Sequence, residues 1–66
     1  MKKNTLVNYY GEYKNCHHIT YQIVKVWNTP TGKKFYDLRS VRKPIIIKDN
    51  YYHELYSVED KELEIL

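Results

Sequence analysis

"ITYQIVKVWNTPTGKKFYDLRSV", residues 19–41, decides the fold. From Ile19 to Trp27, β-branched and aromatic residues dominate, the types that fit a pleated, half-buried surface. Their alternation slips once. Ile19, Tyr21 and Ile23 share one face, and then Val24 and Val26 share the other. A change of phase inside a strand predicts a β-bulge or a strand that bends between two sheets. In "NTPTGK", Pro30 suits the first central position of a turn and Gly32 a left-handed one. Trp27 and Lys34 therefore become the ends of a hairpin with a short loop. The returning strand is Phe35 to Val41, with Tyr36, Leu38 and Ser40 on one face and Phe35, Asp37, Arg39 and Val41 on the other.

The rest of the chain reads outward from this hairpin. Thr5 to Tyr10 is a first strand, with Gly11 marking a bulge or turn. Ile45 to Ile47 form a short strand, Asp49-Asn50 a turn, and Tyr51 to Tyr56 another strand. Ser57, with Asp60 three residues on, resembles the start box of one short turn. Leu63 and Ile65 share one face of a last strand. The expected class is all-β: one domain over residues 1–66, a small barrel of five to six strands with a short 3₁₀ turn near the C-terminus. A second reading stays open. Tyr52, Leu55, Tyr56, Leu63 and Leu66 also fit a helical stripe, and "DKELEIL" contains good helix formers. On that reading the fold is α+β, an antiparallel sheet with a C-terminal helix.

The hairpin around Thr29 to Lys33 and the ending "YSVEDKELEIL" together resemble the SH3-like small barrels, a superfold that includes SH3, Tudor and KOW-type domains. In many of these a penultimate strand leads through one 3₁₀ turn into a short final strand. The likeness covers most of residues 19–66 and is one of architecture. The aromatic motif ALYDY is absent; "VNYYGEY" shares only its richness in tyrosine. A proline-peptide groove is therefore not carried over.

Sixty-six residues hide only about 60% of the unfolded surface. A core of that size leaves about 3–5 kcal/mol of net stability and little room for an enclosed substrate pocket. The single cysteine, Cys16, excludes an internal disulfide framework and fits a reducing cytoplasm. "MKKNTLVNYY" lacks the apolar run of a signal peptide, and no segment approaches the roughly 20 apolar residues of a membrane span. There is no alanine, and lysine (nine), tyrosine (eight), isoleucine (six) and asparagine (five) are abundant. All four have A/T-dominated codons, which points to a bacteriophage or mobile element of a low-GC bacterium.

Net charge is +3 and unevenly spread. Residues 1–48 hold ten Lys/Arg against two acids, +8; residues 49–66 hold one Lys against six acids, −5. Such a split means either a basic partner-binding face or acidic and basic strands lying side by side.

Signals for catalysis are weak. Two isolated glycines exclude a phosphate-cradling loop or dinucleotide fingerprint. Cys16, Ser40 and Ser57 are nucleophile types and His17, His18 and His53 base types, but no spacing joins them into a catalytic set. The chain is expected not to be an enzyme and to need no cofactor. Cys16-His17-His18, with His53 as a third candidate, invites a zinc reading. A structural zinc site uses four ligands in paired spacings, and those pairs are missing. The expectation is no metal site, with the histidines a polar entry to the strand that follows.

Eight tyrosines and one tryptophan exceed what a small core can hold. In Tyr9-Tyr10-Tyr13 and Tyr51-Tyr52 neighbouring rings alternate in direction, so at least one of each cluster should point outward. Exposed Tyr, Trp and Arg are the types enriched at protein-binding hot spots, and aromatic rings also stack on unpaired bases. The isoleucine triplet is an aggregation hazard, and Lys43, Pro44 and Lys48 protect it. Arg39 and Arg42 are the only arginines, and both fall near it. Arginine makes bidentate contacts with carboxylate or phosphate.

The expected partner-binding residues are therefore Arg39, Arg42, Lys43, Lys34, Tyr9, Tyr10, Tyr51, Tyr52 and Trp27. The expected function is a non-enzymatic binding module that docks a Tyr/Trp/Arg surface on a larger protein, from the host or a second copy of itself. The alternative is a nucleic-acid-binding barrel using Lys/Arg and exposed Tyr. Neither reading involves a membrane or a small-molecule substrate.

Overall fold

A computed structural model describes residues 1–17, 19–42, 46–47, 50–51 and 53–66, the side chains of 46–47 and 50–51 excepted. Among the described residues seven strands follow in order: β1 (Leu6–Tyr9), β2 (Thr20–Asn28), β3 (Lys34–Ser40), β4 (Ile46–Ile47), β5 (Asn50–Tyr51), β6 (Glu54–Glu59) and β7 (Leu63–Ile65). Two 3₁₀ turns, Lys14–Cys16 and Asp60–Glu62, complete the elements of the described residues, so the all-β class holds and the C-terminal helix does not form. Among the described residues no helix is long and apolar enough to cross a membrane.

Five strands make one antiparallel sheet in the order β6-β3-β2-β1-β7, and β4 and β5 form a separate two-stranded hairpin. Among the described residues no ladder joins β6 to β7. Among the described residues the sheet is thus not closed, and the expected barrel is not established. β2 and β3 form the expected hairpin. Asn28 pairs with Lys34, Gly32 takes a left-handed φ of 86°, and Thr29 and Lys33 close the loop by a backbone hydrogen bond. The predicted phase slip is a bulge: Ile23 pairs with Leu38 but Lys25 with Asp37, which leaves Val24 as the extra residue.

The core lies on the sheet face that carries Val7, Tyr9, Tyr21, Ile23, Tyr36, Leu38, Leu55 and Val58, with Cys16 from the first 3₁₀ turn. Three tyrosines are thus fully buried. Each hydroxyl is provided for, as burial of a polar tip requires. Tyr9 accepts from the Tyr13 amide, Tyr21 bonds the Cys16 thiol, and Tyr36 meets Asp60 and the N-terminal ammonium. A Cβ at Gly11 would overlap the Tyr9 hydroxyl and the Glu62 carboxylate, so glycine there is a matter of space.

The second 3₁₀ turn has a different cap from the expected one. Glu59, not Ser57, caps it, and Glu62 returns a bond to the Glu59 amide (2.8 Å). Ser57 instead sits at φ 56° in a second bulge, where Tyr36 pairs with Val58 but Leu38 with Leu55. Its amide donates to Asp37 Oδ1 (3.1 Å), which fixes this uncommon backbone state.

Candidate functional site

The face opposite the core presents three adjacent rows. The pairing registers place Gln22, Lys25 and Trp27 on β2 opposite Arg39, Asp37 and Phe35 on β3. On β6, Glu54 stands opposite Arg39 and Glu59 opposite Phe35, with the bulged Tyr56-Ser57 between them. Asp37 is at the centre. Its Oδ1 accepts from the Trp27 indole (3.2 Å) on one side and from the Ser57 amide on the other. The Trp27 and Phe35 rings stack at 4.9 Å between centroids, within the range of favourable aromatic pairs. Lys33 extends over the Phe35 ring, its Nζ 5.5 Å from the centroid.

The carboxylates of this face are all engaged. Asp37 holds Trp27 and Ser57; Glu59 meets Lys33 and, at 3.3 Å, Lys61; Glu54 accepts from the Tyr56 hydroxyl. The Lys33 and Lys61 contacts hold the Glu59 carboxyl below its usual value. The bond to Glu54 pushes the Tyr56 phenol up, while Arg39 nearby pulls it down. Lys25 and Arg39 are exposed and form no ion pair among the described residues. The acidic strand β6 thus lies against β3, so the acidic and basic parts of the chain meet along one ladder, with Glu54 opposite Arg39.

The expected contact residues do not gather in one place. Trp27 and Arg39 lie on this outer face. Tyr9 does not reach a contact surface: it is 1% exposed and belongs to the core, because the pleat turns its ring to the inner face, where Tyr13, His17 and Tyr21 pack around it. Tyr10 is 50% exposed but stands at the far end of β1, where its ring meets His17 edge-on at 5.9 Å. Tyr13, beside it, is similarly open to solvent. Arg42 follows β3 at that same end, about 20 Å along the strand from Trp27 by the ordinary strand rise. Lys34 is at the opposite end, with Lys33, Glu59, Asp60 and Lys61 around an open groove of about 420 Å³. Lys43 and Tyr52 lie outside the described residues, as does the side chain of Tyr51.

Tyr56, 65% exposed, is the contact candidate that the sequence reading missed. The pleat sends it outward next to inward Leu55, whereas the helical stripe read from the sequence puts Leu55 and Tyr56 on one side. Among the described residues no group of three or more His, Cys, Asp and Glu is placed to hold a metal. Cys16 is buried against Tyr21, and His17 Nε2 donates to the Gly11 carbonyl (2.7 Å). His18 lies outside the described residues. His53 Nδ1 is 2.6 Å from Ser40 Oγ, an oxygen that is buried and also donates to the Arg42 carbonyl (3.1 Å).

Comparison with protein-family models, curated proteins and solved structures finds no match to this chain.

Proposed function

We propose that this chain is a non-enzymatic binding module that docks the outer face of its sheet on a partner protein in the cytoplasm. The observation that carries this reading is the Trp27–Phe35 stack, held by Asp37 and bordered by exposed Arg39, Lys25 and Tyr56. Trp, Tyr and Arg are the types that dominate binding energy at protein interfaces. A ring pre-positioned by a hydrogen bond and a stack loses little freedom on binding. The A/T-biased composition makes the partner a protein of a low-GC bacterial host, whose working surface the module would occupy. A nucleic-acid role is less favoured, because among the described residues only Lys25 and Arg39 stand on this face as cations without an ion pair, few for a contact that rests on several phosphates.

The test uses tagged protein and lysate of a low-GC bacterium, with and without nuclease, at low and high salt. Trp27→Ala runs in parallel after its fold is checked by circular dichroism. One protein retained through nuclease and salt, and captured at least about tenfold less by Trp27→Ala, is the expected result for a hot-spot residue. Capture that Trp27→Ala leaves unchanged would remove the face assignment. Loss of all binding after nuclease would replace the reading with nucleic-acid binding.

A further inference from the structure

We propose that the ligand of this face is an acidic, extended peptide segment. It carries two carboxylates at alternate positions and an apolar side chain at the next alternate position. The inference rests on the binding-module reading above and gives its partner a chemistry.

The charges on the face carry it. Every carboxylate there already has a donor from the chain itself, whereas Lys25 and Arg39 have no ion pair among the described residues. Arg39 is the more telling of the two. Glu54 stands directly opposite it in the ladder, yet the Glu54 carboxylate takes the Tyr56 hydroxyl instead. Among the described residues the guanidinium thus has no ion pair, and its planar fork of donors suits a carboxylate.

Spacing supplies the rest. Lys25 is the register partner of Asp37, two residues from Arg39, so Arg39 and Lys25 are diagonal neighbours roughly 7 Å apart. Lys25 and Trp27 are two residues apart on one strand, about 7 Å. Alternate side chains on one face of an extended peptide recur at the same interval of about 7 Å. A peptide laid across the sheet can therefore give one carboxylate to Arg39, the next to Lys25, and an apolar side chain to the Trp27–Phe35 stack.

The probe is the blocked pentapeptide glutamate-glycine-glutamate-glycine-leucine, offered in both chain directions. Its control has glutamine in place of both glutamates. Titration into ¹⁵N-labelled protein is followed at the Trp27 indole N–H, the chain's one tryptophan signal, and at Arg39 Nε–H. Both resonances should move. The glutamine control, and Arg39→Gln with the original peptide, should each bind about three- to fivefold more weakly, as expected for exposed ion pairs. Salt at 0.5 M should narrow that gap.

Equal shifts with the glutamine peptide, or no shift with either, would overturn the proposal. If neither peptide binds while partner capture still depends on Trp27, the binding module stands and its acidic ligand falls. Tighter binding of a single-stranded oligonucleotide, moving the same two resonances, would assign the face to phosphate and overturn the proposal as well.

Discussion

The two faces of the sheet use similar residues for opposite ends. On the inner face Tyr9, Tyr21 and Tyr36 are sealed in one core cluster, the Tyr9 and Tyr21 rings meeting edge to face, and their hydroxyls are consumed by the chain. On the outer face Trp27, Phe35 and Tyr56 are propped in place by Asp37 and Glu54 but remain accessible. Aromatic content alone does not distinguish core from contact surface; what distinguishes them is where the polar tip finds its partner. Leu38 and Arg39, adjacent in β3, make the sharpest comparison. Leu38→Ala should cost about 2–5 kcal/mol, as buried leucines do. The whole net stability of so small a core is about 3–5 kcal/mol, so this variant should be largely unfolded by urea titration. Arg39→Ala should stay within about 0.5 kcal/mol of the parent, as an exposed residue does. A large loss of stability for Arg39→Ala would mean that the outer face is structural.

Alkaline pH should break the inner face next. Burial raises the Tyr9, Tyr21 and Tyr36 phenols above their ordinary value, Tyr21 most, with the Cys16 bond adding to burial there. The folded chain therefore keeps protons that the unfolded chain loses above about pH 10. Their contribution to stability is complete below that pH and is lost as pH rises toward the folded values. Denaturation midpoints should fall between about pH 10 and 11.5. Tyr21→Phe, which cannot ionise, should fall less steeply over the same range. An identical slope for the two proteins would show that Tyr21 is not held neutral by the fold.

The inner face was legible in the sequence because it depends on periodicity. Tyr36, Leu38 and Ser40 alternate with Phe35, Asp37 and Arg39, and a two-residue period has only one phase that buries leucine. Even the bulge at Val24 announced itself, as two runs of alternation out of step. The outer face was legible in part. Arg39 and Trp27 could be assigned to it, but Tyr9 was grouped with Tyr10 although the pleat sends them to opposite sides. Tyr56 was missed although the pleat sends it outward next to inward Leu55; what stays hidden is the bulge after it, a left-handed Ser57 held by Asp37 twenty residues away. Local sequence carries no trace of such a long-range hydrogen bond. The same limit explains the turn at Asp60–Glu62. Ser57 and Asp60 looked like its start, but the pairing of Glu59 with Phe35 delivers Glu59 to the capping position instead.

Acid should act on the outer face, and more weakly. Lys33 and Lys61 hold the Glu59 carboxyl below its ordinary value, and Glu59 also caps the 3₁₀ turn that leads into β7. Here the sign reverses. The unfolded chain takes up a proton near pH 4.3, while folded Glu59 resists protonation to lower pH. The contribution is complete above about pH 5 and disappears as pH falls through the folded value. The pairs are on the surface, so the effect is small and salt-sensitive. Thermal midpoints measured from pH 5 to pH 3 should drop by a few degrees at low salt and less at 0.5 M salt. Glu59→Gln should start lower and vary less with pH. An identical slope for Glu59→Gln and the parent would show that the Lys33 and Lys61 contacts do not hold the Glu59 carboxyl ionised, and would leave the cap of the 3₁₀ turn without an acid-sensitive part.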